Sequence, residues 1–226
     1  MSAWHLVAAA QRFPMHTISN SDTPAGQSRR ATLLLAHGAG APMDSSFMQQ
    51  LTAALNSHGI AVVRFEFPYM QARRTSGKRA PPNPMPVLLD AFRQQWGQLA
   101  KTRSGPLLLG GKSMGGRVAS MLADELGASG LICFGYPFHP PGKPEKTRVG
   151  HLADLVTPAL LVQGTRDALG KPAEVAGYVL SSAIELHWLE TADHDFQPLK
   201  RSGLGQAEMI EQAAQRAGLF CDEWLS

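Results

Sequence analysis

Pro106-Leu107-Leu108-Leu109-Gly110-Gly111-Lys112-Ser113-Met114-Gly115-Gly116-Arg117-Val118-Ala119 is the stretch on which the reading of this chain turns. Its leucines form a short apolar run of the kind a buried strand needs, and Arg117 to Leu126 is compatible with a helix. Between them, Gly111-Lys112-Ser113-Met114-Gly115 has the spacing Gly-x-Ser-x-Gly in a strand-turn-helix setting. A serine on so sharp a turn has strained torsions, and side chains two residues to either side would collide with the strand and helix closing around it. Glycine at 111 and 115 removes both collisions. The hydroxyl then stands at the C-terminal edge of a sheet, where helix N–H groups favour a developing negative charge. A phosphate-binding loop is a poor alternative, because Pro106 stands where that motif requires glycine.

A length of 226 residues suits one domain with a sizeable core. The net charge of +3 and pI near 9.0 are too mild to argue for nucleic acid. No apolar run approaches a membrane span, and the short apolar patch near Met1 has no basic stretch before it, so a cytoplasmic protein is expected. Two cysteines occur, Cys133 in an apolar run and Cys221 near the C-terminus, so neither a disulfide framework nor a thiolate metal site is indicated, and reduced thiols are expected.

Residues 1 to 30 are broken by Pro14, Asn20, Asp22, Pro24 and Gly26. They read as a loose start with strand-like pieces around Arg12 to Ile18, forming an edge strand or hairpin. Beyond them, strands are expected at Thr32 to Ala36, Ile60 to Phe67, Leu107 onward, Gly130 to Phe134, Ala159 to Gly164 and Ile184 to Leu189. Helical spacing covers Ser45 to Ser57, Val87 to Lys101, Pro172 to Leu180 and Gln206 to Trp224. Asp44 suits the N-cap of the first helix and Gly59 its stop. Two proline-rich segments, Pro68 to Pro86 and Tyr136 to Val149, read as loops. This alternation implies an α/β fold, a mostly parallel sheet with helices on both faces and ligands at the strand C-termini.

A serine hydroxyl needs a base, and the base needs an orienting partner. Of the eight histidines, His194 lies directly after the last expected strand. His139, in the loop after the strand next to the elbow, is its serious rival, while His37 precedes a glycine turn and reads as structural. Asp167 follows a strand, whereas Asp193 and Asp195 flank His194 too closely to face its ring easily. The order Ser113, Asp167, His194 is that of Ser…Asp…His hydrolases. The N–H of Met114 and that of Ala39, with Gly40 as runner-up, are the expected oxyanion donors.

Three runs carry a family resemblance: His37-Gly38-Ala39-Gly40-Ala41-Pro42-Met43-Asp44, Arg64-Phe65-Glu66-Phe67-Pro68-Tyr69 and Gly110 to Arg117. Over residues 31 to 224 the chain resembles the α/β-hydrolases. Within them it is similar to a small group that includes testis-expressed α/β-hydrolase-like proteins and a histone-acetyltransferase complex subunit, and more loosely to dienelactone hydrolases. The resemblance implies an α/β-hydrolase domain at 31–226, with residues 1–30 as an extension or edge strand. Serine rather than cysteine stands at the elbow, so the dienelactone substrate is not carried over.

The interval Gly135 to Pro158 is too short for a cap domain, so an open site is expected, rimmed by the two proline-rich loops. Arg73, Arg74, Lys78 and Arg79 on one, and His139, Lys143, Lys146 and Arg148 on the other, are candidates for binding an anionic substrate, against the plainer reading of a solvated basic loop. The expected activity is cleavage of an ester, thioester or related acyl bond of a small molecule, without cofactor or metal and with no nucleic acid or membrane partner. A scaffold that keeps the fold without the chemistry, and acyl transfer to an acceptor other than water, are the alternatives.

Overall fold

In a computed structural model that describes residues 17–20 and 30–225, seven strands form one sheet in the order β1-β3-β2-β4-β5-β6-β7. The strands are β1 (Thr17–Asn20), β2 (Ala31–Ala36), β3 (Ile60–Phe65), β4 (Leu107–Lys112), β5 (Gly130–Phe134), β6 (Ala159–Gly164) and β7 (Ile184–Leu189). Only β1 is antiparallel, pairing with β3 at one edge; all other pairs are parallel. β2 and β6 are buried throughout their length, which explains their apolar runs, interrupted by Thr32 and Gln163 alone: a strand covered on both faces has no solvent side to alternate with. The strand-like pieces expected before Thr17 lie outside the described residues.

The helices are α1 (Ser46–Ser57), α2 (Pro68–Ser76), α3 (Met85–Thr102), α4 (Met114–Ser120), α5 (Pro172–Val175) and α6 (Gln206–Trp224). α1 and α6 share a core with Leu33, Leu35, Val62, Leu160 and Phe220 on one face of the sheet. α2, α3 and α4 pack on the other, around an edge-to-face aromatic set in which Phe65 and Phe92 lie 5.0 Å apart and Phe65 and Phe67 5.1 Å. No helix among the described residues is long and apolar enough to cross a membrane.

Four local expectations need correction. Pro68 to Pro86 is not all loop, because Pro68 starts α2 at the position where its missing N–H costs nothing, and Gly77 ends it at φ 67°. Asn83 Oδ1 accepts the Tyr69 N–H at 2.8 Å, so the later part of the loop caps the helix that precedes it. Asp44 does not cap α1; Ser45 occupies that position and the Asp44 carboxylate instead bonds Arg74 Nη2 at 2.5 Å. α5 stops at Val175, not Leu180, because the chain tightens through Gly177 and stacks Tyr178 on Phe138. α4 ends at Ser120 and continues as turns to Gly127, which closes them at φ 60°.

Between β5 and β6 the chain inserts no domain, only loop and the one-turn helix Gly150–Leu152. The C-terminal edge of the sheet is therefore uncapped on that side. Phe92, fully buried between Phe65 and Phe67, is the clearest test of this core. Phe92→Ala should lower stability by about 3–5 kcal/mol, read as a shift of the urea unfolding midpoint at constant slope.

Candidate active site

β4 delivers Ser113 to the top of the sheet with φ 52° and ψ −116°, a conformation that side-chain-bearing residues rarely adopt. A Cβ added to Gly111 would lie 2.3 Å from the Gly115 carbonyl carbon, and one added to Gly115 would lie 2.6 Å from Ala36 O. Both glycines are therefore steric necessities of the turn. The Ser113 N–H donates to Phe134 O at 2.9 Å, which anchors the elbow to β5.

His194 Nε2 lies 2.9 Å from Ser113 Oγ, and His194 Nδ1 donates to Asp167 Oδ2 at 2.8 Å. Residues 81 and 27 positions apart thus meet in one line. Asp167 is fully buried and accepts two further bonds, from Gln163 Nε2 at 2.8 Å and from the Leu169 N–H at 2.8 Å. Gln163 is itself fixed, since its Oε1 accepts the Tyr136 N–H at 2.7 Å. The carboxylate consequently has little freedom to rotate away from the imidazole.

The loop carrying His194 is a tight structure held from both ends. Asp193 Oδ1 accepts the N–H groups of Asp195 and Gln197, each at 2.9 Å, and Thr191 and Phe196 both take φ 61°. Phe196 is buried edge-on to Phe47, and the Lys112 ammonium reaches Asp195 at 3.4 Å. Burial lowers the Lys112 pKa, opposed chiefly by Asp195 and then by Asp167. Lys112 thereby ties the histidine loop to the strand that carries the serine. Gly135, at φ 64°, leaves room for this: a Cβ there would stand 3.1 Å from Lys112 Nζ and 3.3 Å from His194 Nδ1.

The turn after β2 packs against the elbow, with the space beside Gly38 bounded by Ser113 Cβ and Lys112 O. His37 is buried and holds this turn, its Nδ1 donating to Gly38 O at 2.7 Å while Nε2 accepts the Phe67 N–H at 3.1 Å. This pair of bonds requires the neutral ring, and burial lowers the His37 pKa accordingly. The Tyr69 hydroxyl lies 3.3 Å from Gly38 O and 3.0 Å from Ala39 O. Because a trans peptide points its C=O and N–H in opposite directions, pinning those two carbonyls turns the N–H groups of Ala39 and Gly40 the other way.

Two cavities flank Ser113. One, of about 480 Å³, is lined by Gly40, Phe47, Lys112, Leu169 and His194. The other, of about 370 Å³, is lined by Met85, Met114, Arg117, Pro137 and Arg148. Ser113, Ala39, Pro141 and Leu169 belong to both. The basic candidates from the first loop are not among these lining residues. Arg74 is bound to Glu66 and Asp44, where it clamps α2 onto the loop after β2. Arg73, Lys78 and Arg79 line neither cavity, and Arg73 Nη1 lies 3.5 Å from Gly40 O. His139 is buried against Pro140 O and Glu174, away from Ser113, which removes it as the rival base.

Sequence reading gave no role to four side chains near this centre: Gln163, Lys112, Tyr69 and Arg117. A signal existed for two of them. Gln163 is a polar residue in an otherwise apolar buried strand, and Lys112 ends such a strand. Both interrupt a pattern that burial alone would keep apolar.

Over residues 29–222 the sequence matches the family described as an alpha/beta hydrolase domain. Among solved structures, a serine hydrolase homologue from Coxiella burnetii superposes with a TM-score of 0.69 at 20% identity, over 90% of this chain and 91% of that one. A serine hydrolase without lid from Xanthomonas campestris gives 0.66 at 20% identity, over 94% and 97%. A dienelactone hydrolase from Anabaena variabilis gives 0.68 at 19% identity, over 94% and 99%. At these identities the structural likeness is one of fold, and the match over residues 29–222 carries the assignment: the chain belongs to the α/β-hydrolase family.

Proposed function

We propose that the protein is a serine hydrolase that cleaves an ester or thioester of a small molecule through an acyl-enzyme on Ser113. The observation that supports this reading is the unbroken hydrogen-bonded line from Ser113 Oγ through His194 to Asp167. A buried carboxylate on Nδ1 fixes the tautomer that leaves the Nε2 lone pair facing the serine hydroxyl. Fluorophosphonate labelling of Ser113 tests the reading directly.

In the proposed reaction His194 Nε2 takes the Ser113 proton as Oγ attacks the acyl carbonyl carbon. The carbonyl π electrons move to oxygen, and the resulting oxyanion is held by the N–H groups of Met114 and Ala39. Met114 begins α4, so its N–H has no acceptor within the helix. The Ala39 N–H is oriented by the His37 and Tyr69 contacts to the neighbouring carbonyls. The tetrahedral intermediate collapses, the C–O or C–S bond breaks, and His194 returns the proton to the departing alcohol or thiol. Water, deprotonated by His194, then attacks the acyl-enzyme carbonyl; the acyl C–Oγ bond breaks, His194 returns the proton to Ser113 Oγ, and the acid is released. Every step uses groups of this chain and water.

A fluorophosphonate probe should label the folded wild type, and labelling should vanish in Ser113→Ala and His194→Ala; persistent labelling of Ser113→Ala, or an unlabelled folded wild type, counts against the proposal. Asp167→Asn should reduce kcat on a 4-nitrophenyl ester by on the order of 10³–10⁴-fold through loss of the productive tautomer. Tyr69→Phe removes one support of the oxyanion turn. It should lower kcat roughly two- to tenfold with KM little changed, the range spanned by one neutral hydrogen bond.

A further inference from the structure

We propose that Arg117 and Arg148 form an oxyanion subsite that selects acyl substrates carrying a carboxylate or phosphate a short distance from the scissile bond. This rests on the hydrolase reading above and adds a substrate class to it. Arg117 lies four residues after Ser113, the N-cap of α4, and its N–H donates to Ser113 O at 3.0 Å. Arg148 comes from the opposite side, on the loop after β5, and both line the smaller cavity together with Ser113 and Met114.

Two features point to an anion rather than to a structural pair. Neither arginine belongs to an ion pair among the described residues, and no Asp or Glu lines the cavity they share. Arg117 Nε is buried with no hydrogen-bond partner. In the same fold Arg74 is matched by Glu66 and Asp44, Lys112 by Asp195, and the buried Arg64 donates to Met43 O at 2.7 Å. Two like charges held together and partly desolvated are unfavourable until an anion joins them. Burial is the main cause that lowers the Arg148 pKa, and the Arg117 charge lowers it further.

The surroundings hold this pair without neutralising it. The Arg148 N–H donates to Phe138 O at 2.7 Å and its carbonyl accepts the Tyr136 hydroxyl at 3.2 Å, so its backbone is fixed at both ends. His151, behind the pair, bonds Ser120 Oγ at 2.8 Å, and burial together with the Arg117 charge lowers its pKa. Two planar guanidinium forks facing one space suit the paired oxygens of a carboxylate or phosphate. A substrate such as a half-ester of a short dicarboxylic acid would place its ester carbon at Ser113 and its free carboxylate between the arginines.

The test separates this subsite from the chemistry. Calorimetric titration of glutarate and of inorganic phosphate into Ser113→Ala protein measures anion binding without turnover, and the two arms distinguish a carboxylate from a phosphate. At least one anion should bind, and Arg117→Gln or Arg148→Gln in that background should weaken it tenfold or more. Arg148→Lys, which keeps the charge and most of the packing, should retain part of the affinity. In the catalytically intact chain, the ratio of kcat/KM for 4-nitrophenyl hemiglutarate over 4-nitrophenyl butyrate should fall at least tenfold in Arg117→Gln. Binding of neither anion, or binding and ratio unchanged by the arginine substitutions, would overturn the subsite. Loss of fluorophosphonate labelling bears on the hydrolase reading instead.

Discussion

Ser113 can stand at φ 52° only because nothing larger than hydrogen occupies the faces of Gly111 and Gly115. That steric constraint sets the geometry around it. The strand must end at Lys112, the helix must begin at Met114, and the helix must press against the end of β2 closely enough that its first turn meets the Ala36 and His37 carbonyls. The turn at residues 38–40 is then brought beside the serine by this packing and held there by the His37 and Tyr69 bonds. Strain of this kind persists where the surrounding fold over-determines it. Here β5 holds the Ser113 amide on one side and β2 blocks the helix on the other.

Around that fixed point the buried polar groups are organised in chains that leave each member one arrangement. Tyr136 N–H, Gln163, Asp167 and His194 form one chain, and Phe67 N–H, His37 and Gly38 O form another. Buried amides, carboxylates and imidazoles are costly when unpaired and rigid when paired. The cost of burying them is offset by the bonds, and what remains is a site assembled before any ligand arrives.

The parts legible in the sequence are those with a local cause. β5, β6, β7 and α6 keep the expected limits because each is a single apolar pattern bounded by turn residues. Ser113, Asp167 and His194 were found as reactive residue types in loops directly after strands. The parts that were not legible depend on partners far along the chain. α2 has a polar, arginine-bearing face and a proline start, and reads as loop until Glu66 and Asp44 are seen to clamp Arg74. Likewise the four basic residues at 73–79 look alike as letters. Only contacts across the fold distinguish a clamp from an exposed charge, and the same is true of Arg117, which looks like an ordinary helix residue.

The uninterrupted loop between β5 and β6 has a kinetic meaning. Enzymes that cover their site with a mobile element often turn over at the rate at which that element opens. Among the described residues no inserted domain covers this edge of the sheet, so a ligand leaving on that side has only its own contacts with the cavity floor to break. Selection at this edge then falls to groups already in place at the moment of binding, since no inserted domain closes over it afterwards.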